Sequence, residues 1–233
     1  HPSSVPTDPS SYSEELNVED AYGLLRHLGI EKAHIVGLSM GGNVTVKLGL
    51  AHPEVCLSLT AAGAGFGSVN PDEFRANARE TADFFERIGM EEAAQTYGKG
   101  PSRLRFQQKD PLGFATMLAQ LSEHSTVGSA MTMRQVQAKR KTIYEVADQL
   151  PSLSVPTLIV SGDEDELALE PALLMKRKIP NSGLLILPKT GHTVNLEEPA
   201  LFNQVVMDFI SSVDAGAWTR RLDTSTGLLP PDP

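Results

Sequence analysis

The order of apolar segments in this 233-residue chain predicts an α/β fold, a mostly parallel sheet with helices on both faces and a helical insertion between its halves. Three observations carry that expectation. Strand-length apolar runs alternate with helical patterns near both ends of the chain. The stretch from Pro71 to Leu150 holds helical patterns only. A Gly-x-Ser-x-Gly sequence, Gly37 to Gly41, stands where a strand passes directly into a helix.

Residues 1–13, with Pro2, Pro6, Pro9 and many serines, read as a loop. Ser11 and Glu14 have capping-box spacing and open a helix to about His27, with Leu16, Ala21, Leu24, Leu25 and Leu28 as its apolar face and Gly29 as its stop. Ala33 to Leu38 is a strand, Asn43 to Ala51 a helix closed by Pro53, and Val55 to Ala62 a buried strand running into Gly63-Ala64-Gly65. In the middle section, Phe74, Ala78, Ala82, Phe85 and Ile88 mark one helix face, Phe114, Met117, Leu118 and Leu121 a second, and Thr142 to Leu150 forms a third helix. A helical block between strand–helix units suggests a lid over the end of the sheet, with extension of the core as the competing reading. Alternation resumes with strand Pro156–Ser161, helix Glu170–Lys178, strand Leu184–Leu187 and helix Ala200–Val213. From Trp218 to Pro233 periodicity is lost, which predicts a loosely attached tail. The expected organisation is a core unit over 1–65, a helical cap over 66–150, a second core unit over 151–213 and a tail over 214–233.

The chain is long enough for one domain with a substantial core, and 40% hydrophobic with 21% charged residues is ordinary for a globular protein. A net charge of −9 argues against nucleic acid or an anionic membrane surface as partner, and no apolar run has bilayer-spanning length. Cys56 stands alone, so neither a disulfide framework nor a thiolate metal cluster is expected, which fits the cytoplasm. The chain opens at His1-Pro2-Ser3-Ser4 with no initiator Met and no leader pattern, so export remains compatible with it.

The chemistry begins at Gly37-Leu38-Ser39-Met40-Gly41. The pattern by itself arises by chance in about one chain in ten of this length. Its place between strand and helix raises it, because a reversal within a residue or two strains the backbone at the serine and needs small neighbours. Gly37, Gly41 and Gly42 supply them, and Ser39 would then project from the carboxyl end of the sheet at a helix N-terminus, where developing negative charge is favoured. The competing reading is a structural glycine turn with a capping serine.

A serine hydroxyl needs a base. Of the six histidines, His1 is terminal, His27 and His52 lie near helix ends where they would meet last-turn carbonyls, His34 is expected to pack in its strand, and His124 lies in the insertion. His192, in Lys189-Thr190-Gly191-His192-Thr193 after the last strand, reaches the edge where Ser39 is exposed. The imidazole in turn needs a carboxylate to fix its tautomer. Asp163-Glu164-Asp165-Glu166, after strand Pro156–Ser161, offers one; one aspartate turns inward, spacing leaves Asp163 and Asp165 both open, and the remaining three acids read as a solvated turn.

Leu28-Gly29-Ile30 into His34-Ile35-Val36-Gly37-Leu38-Ser39-Met40-Gly41-Gly42, then Pro156-Thr157-Leu158-Ile159-Val160, Gly162-Asp163-Glu164-Asp165 and Gly191-His192, together resemble the α/β-hydrolase superfamily over residues 1 to about 213. The resemblance implies Asp165 as the acid, three residues after the strand-ending glycine, the backbone N–H of Met40 as an oxyanion donor, and 66–150 as the cap. It implies a serine hydrolase that needs no cofactor or metal and cleaves a small-molecule ester or lactone through an acyl-enzyme. Hydrolysis of a carbon–carbon bond beside a ketone uses the same triad, and some members of the fold are non-catalytic binders. Ser39 excludes the members that use an aspartate nucleophile. Phe66, Met117, Met131 and Met133 are as well explained by core packing as by a pocket. His1-Pro2-Ser3-Ser4 resembles the tail of a segment that follows three or four strands in the family. The strand before Ser39 is therefore expected at a sheet edge, with a second oxyanion donor absent from this chain.

Overall fold

Ala33–Leu38 (β1), Cys56–Ala62 (β2), Thr157–Gly162 (β3) and Ser182–Leu187 (β4) pair in parallel in the order β1-β2-β3-β4 in the computed structural model, which describes residues 5–219. The opening His1-Pro2-Ser3-Ser4 and the proline-rich end of the predicted tail lie outside the described residues. The register places Leu38 beside Ala62, Ala62 beside Val160 and Gly162 beside Leu187. All four strands thus end at nearly one level, and the loops that follow them leave from a common edge.

Ser13, not Ser11, caps α1 (Glu14–His27), its side chain accepting from Leu16 N at 3.0 Å. Ser11 instead closes a 3₁₀ turn over Pro9–Ser11, whose leading proline starts such a turn readily. The second helix, α2, spans Met40–Ala51 and so begins directly after Ser39 rather than at Asn43. Between β2 and β3 the described residues hold no strand. That block contains α3 (Pro71–Tyr97, kinked at Gly89 with φ 77°), α4 (Leu104–Lys109), α5 (Pro111–Ser122), α6 (Thr126–Met131) and a π-helical turn over Thr132–Gln137.

The helix expected over Thr142–Leu150 is absent. Thr142 and Glu145 do exchange bonds in capping-box fashion, Thr142 N to Glu145 Oε2 at 2.7 Å and Glu145 N to Thr142 Oγ1 at 3.1 Å. The turns then close tighter than an α-helix, from Ala147 N to Tyr144 O and Gln149 N to Val146 O, and Pro151 follows with no N–H to extend a ladder. Ile143 and Leu150 are fully buried all the same. Beyond β3, α7 (Glu166–Lys178) starts earlier than Glu170 with Pro171 inside it, and α8 (Val194–Glu197) and α9 (Pro199–Asp214) follow β4.

Successive β3 residues point to opposite faces, and each face is buried. Ile159 joins Leu59 and Ala61 of β2, Val46 and Leu48 of α2, and Ala172 and Met175 of α7. Leu158 and Val160 join Leu187 of β4 and Phe202, Val206 and Phe209 of α9. The tail is tied down at Trp218, whose ring lies edge-on to Phe209 at 4.6 Å and whose indole N–H donates to Asn181 O at 3.4 Å. Among the described residues no helix is long and apolar enough to cross a membrane.

Candidate active site

Ser39 is the single residue between β1 and α2, and the reversal gives it φ 56° and ψ −113°. A non-glycine residue in that region stores about 1–3 kcal/mol of strain and persists only where its surroundings dictate it. Here Ser39 N donates to Ala62 O at 2.8 Å, while Ser39 O accepts from the backbone N and side-chain Nδ2 of Asn43, each at 3.1 Å. Two of the three nearby glycines make room. A Cβ on Gly37 would lie 2.2 Å from Gly41 O and 2.5 Å from Thr45 Oγ1, and one on Gly42 would lie 2.8 Å from Ala62 O. Gly41 has open space where its side chain would be, so its steric necessity, expected from the motif, is not borne out. What matters at that position is its carbonyl, which fills the gap Gly37 leaves.

His192 lies in the loop between β4 and α8, with Nε2 2.8 Å from Ser39 Oγ and Nδ1 2.7 Å from Asp165 Oδ2. Asp165 belongs to the loop between β3 and α7, and its side chain is 3% exposed against 12% for His192, so the pair meets largely out of water. With Asp165 ionised, Nδ1–H donates to it. The lone pair of Nε2 then faces Ser39 and can accept a hydrogen bond from its hydroxyl. Met40 opens α2, so its N–H has no intrahelical acceptor and stands next to the serine at the positive end of the helix.

Asp163 has a different partner: its Oδ1 accepts from Thr190 N at 3.1 Å, and that bond holds its carboxyl below the usual range. Glu164 is engaged as well, gripped by Arg105 of α4 with Nε and Nη2 each 2.6 Å from a carboxylate oxygen. Of the three acids read as a solvated turn, Glu164 and Glu166 are exposed as expected, Asp163 is half-buried, and Glu164 is in addition paired with Arg105. Lys109, one turn further along α4, donates to Thr190 Oγ1 at 3.2 Å and Glu198 Oε1 at 2.5 Å. Arg105 and Lys109 share a helix face and connect the helical block to both the acid loop and the histidine loop. A cavity of about 300 Å³ beside them is lined by Ser102, Leu104, Arg105, Gln108, Asp165 and His192.

Sequence reasoning left Phe66 open between pocket and core, and missed Gly63 and Arg140 near the imidazole. Phe66 stands edge-on to His192 at 5.2 Å, and Arg140 Nη2 holds its carbonyl at 2.6 Å. Gly63 sits at φ 53°, a conformation that favours glycine, in the loop after β2 that lies against the ring, the position a Cβ would take being 3.4 Å from Cε1 and Nδ1. The small-residue string at the end of β2 was the available signal. Met117 packs on Phe106 and Phe114, and Met133 on the cluster of α3 and α6, as core residues do. His34 bonds Ser58 Oγ at 2.8 Å and Asp214 Oδ1 at 3.1 Å. His52 stacks on Tyr22 at 4.0 Å and meets Glu19 Oε1 at 2.8 Å rather than helix carbonyls. Among the described residues no cluster of three or more His, Cys, Asp or Glu is arranged to hold a metal ion.

A family model described as alpha/beta hydrolase fold matches residues 2–199. Over 214 residues the chain is 25% identical to a Bacillus subtilis protein named putative 2-succinyl-6-hydroxy-2,4-cyclohexadiene-1-carboxylate synthase, covering 90% of this chain and 77% of that one. It is 28% identical over 204 residues to a Pseudomonas putida 2-hydroxy-6-oxononadienedioate/2-hydroxy-6-oxononatrienedioate hydrolase, covering 86% and 70%. A thermophilic esterase from Thermogutta terrifontis superposes with a TM-score of 0.73 at 25% identity, over 87% of this chain and 73% of that one.

Proposed function

This chain belongs to the alpha/beta hydrolase fold family, and on that premise we propose that it is a serine hydrolase cleaving a small ester or lactone, with Ser39 as nucleophile, His192 as base and Asp165 as orienting acid. One observation carries the reading: a single imidazole bridges Ser39 Oγ and a buried carboxylate, at 2.8 and 2.7 Å. Ser39 Oγ attacks the carbonyl carbon while its proton passes to His192 Nε2, and the Asp165 carboxylate stabilises the imidazolium. The oxyanion forms next to the N–H of Met40. Collapse breaks the bond to the leaving oxygen, which takes the proton from Nε2 and departs as an alcohol, leaving an acyl group on Ser39. Water, deprotonated by the same nitrogen, attacks that acyl group and releases the acid and the free serine.

Residues 66–150 serve in this reading as the cap over the site, and its contacts through α4 and Phe66 select the small-molecule substrate. The single thiol of Cys56, buried, suits a reducing compartment, and we place the enzyme in the cytoplasm. A second reading, hydrolysis of a carbon–carbon bond beside a ketone, is favoured by the name of the Pseudomonas putida relative; it needs the same three residues and a different cap chemistry.

Labelling with a fluorophosphonate probe followed by peptide mapping tests the mechanism: the adduct is expected on Ser39 and lost in His192→Ala. An unlabelled Ser39 in folded wild-type protein overturns it. Turnover of an aryl acetate, a simple lactone and a 2-hydroxy-6-oxo-dienoate, compared by kcat/KM, then separates the two readings.

A further inference from the structure

Glu197 is 5% exposed, yet among the described residues it meets no cation. A carboxylate taken out of water without a counter-charge is costly unless hydrogen-bond donors replace its hydration. Three donors do so. Oε2 accepts from Gly191 N at 2.6 Å, and Oε1 accepts from Thr193 N at 3.0 Å and Thr193 Oγ1 at 2.9 Å. The two backbone donors belong to the residues immediately before and after His192.

An ordinary cap of the short helix α8 accounts for the bonds to Thr193 alone. The bond to Gly191 lies outside the helix, on the other side of the histidine. Glycine at 191 favours that approach, because a Cβ there would lie 3.1 Å from Glu197 Oε1, a tight contact. The loop is also under local strain, since Lys189 sits at φ 54°. Thr190 is held by Asp163 and Lys109, but those bonds lie upstream of the imidazole, and among the described residues only the Glu197 carboxylate bonds the residue on each side of His192. We infer that Glu197 is a positioning residue that holds His192 in line with Ser39 and Asp165 by clamping the backbone on both sides of it.

The inference rests on His192 being the base. Positioning errors of about 1 Å cost on the order of 10² in rate, so the effect should fall on kcat. Glu197→Gln keeps the volume but presents an NH₂ group to one of the donors. It is expected to lower kcat for an aryl acetate about 10²-fold, to leave KM within about twofold, and to shift or broaden the downfield proton resonance of His192 Nδ1–H. Thr193→Val, which removes one donor and no charge, is expected to lower kcat about threefold to tenfold and decides the matter if Glu197→Gln fails to fold. Unchanged kcat in a folded Glu197→Gln, or in Thr193→Val, overturns the inference. So does a loss wholly accounted for by the unfolded fraction measured by circular dichroism. Ser39→Ala and His192→Ala run in the same assay: if they retain turnover, the triad reading itself fails and takes this inference with it. If they abolish turnover while Glu197→Gln does not, only the role of Glu197 falls.

Discussion

Arg105 holds both oxygens of the Glu164 carboxylate, at 2.6 Å each, so a helix of the block inserted between β2 and β3 is fastened to the residue just before Asp165. The pair is about two-thirds buried, with side chains 33% and 32% exposed, and its fork-to-fork geometry is the kind in which a partly exposed ion pair contributes measurably. It makes the position of the helical block and that of the acid loop interdependent.

Breaking that fastening should therefore lower activity more than stability. Arg105→Ala is expected to cut kcat/KM about tenfold, and a double-mutant cycle with Glu164→Gln in urea denaturation should return a coupling of about 1 kcal/mol or less. Additive losses in kcat/KM for the two substitutions would mean that block and loop act independently.

The strain at Ser39 predicts a trade between activity and stability. Glycine adopts φ 56° without penalty, so Ser39→Gly should be inactive yet about 1 kcal/mol more stable than Ser39→Ala. Ser39→Ala itself should lower kcat by about 10⁶. Thermal melts of the two variants decide it, and equal melting temperatures would show that the surroundings do not enforce the strain.

Asp165 and Asp163 should fail in different ways. Asp165→Asn leaves the imidazole in the wrong tautomer and is expected to lower kcat by about 10⁴ with little change in KM. Asp163→Asn should act on stability instead. The folded protein holds the Asp163 carboxyl below its ordinary value of 3.8, so its contribution is present above that pH and disappears as acid protonates it in the folded state. Melting temperatures of wild type and Asp163→Asn should accordingly differ at neutral pH and converge in acid; a constant gap would refute the assignment.

Cys56 should behave as a buried hydrophobe. Burial, and secondarily the Glu54 charge, push its thiol from 9.0 up to about 11. Between those values the folded chain keeps a proton the unfolded chain has released, so stability falls as pH rises through that window. Cys56→Ala should flatten this part of the profile. In native protein the thiol should not react with a disulfide reagent near pH 8, and it should titrate fully once the chain is unfolded.

Periodicity and motif spacing were enough to read the parallel alternation, the helix-only middle section and the turn at Ser39, because each depends on interactions within a few residues. The two aspartates of Asp163-Glu164-Asp165 were not separable in that way. Both can leave a strand end and turn inward, and the choice is made by Thr190, whose N–H takes Asp163 and leaves Asp165 to His192. The failed helix over Thr142–Leu150 has a similar origin: its capping pair was readable, but the tight turns it adopts bury Ile143 and Leu150 in a core contributed by distant strands.

By itself, then, the sequence determined the elements and the candidate residues, since apolar spacing, glycine placement and the order of Ser39, Asp165 and His192 are one-dimensional facts. Tertiary structure alone decided which side chains meet. Arg105 reaches Glu164 across 59 positions and His192 reaches Ser39 across 153. Such meetings are set by strand register, by the level at which four parallel strands end, and by how the helical block is fastened to the loops that follow β3 and β4.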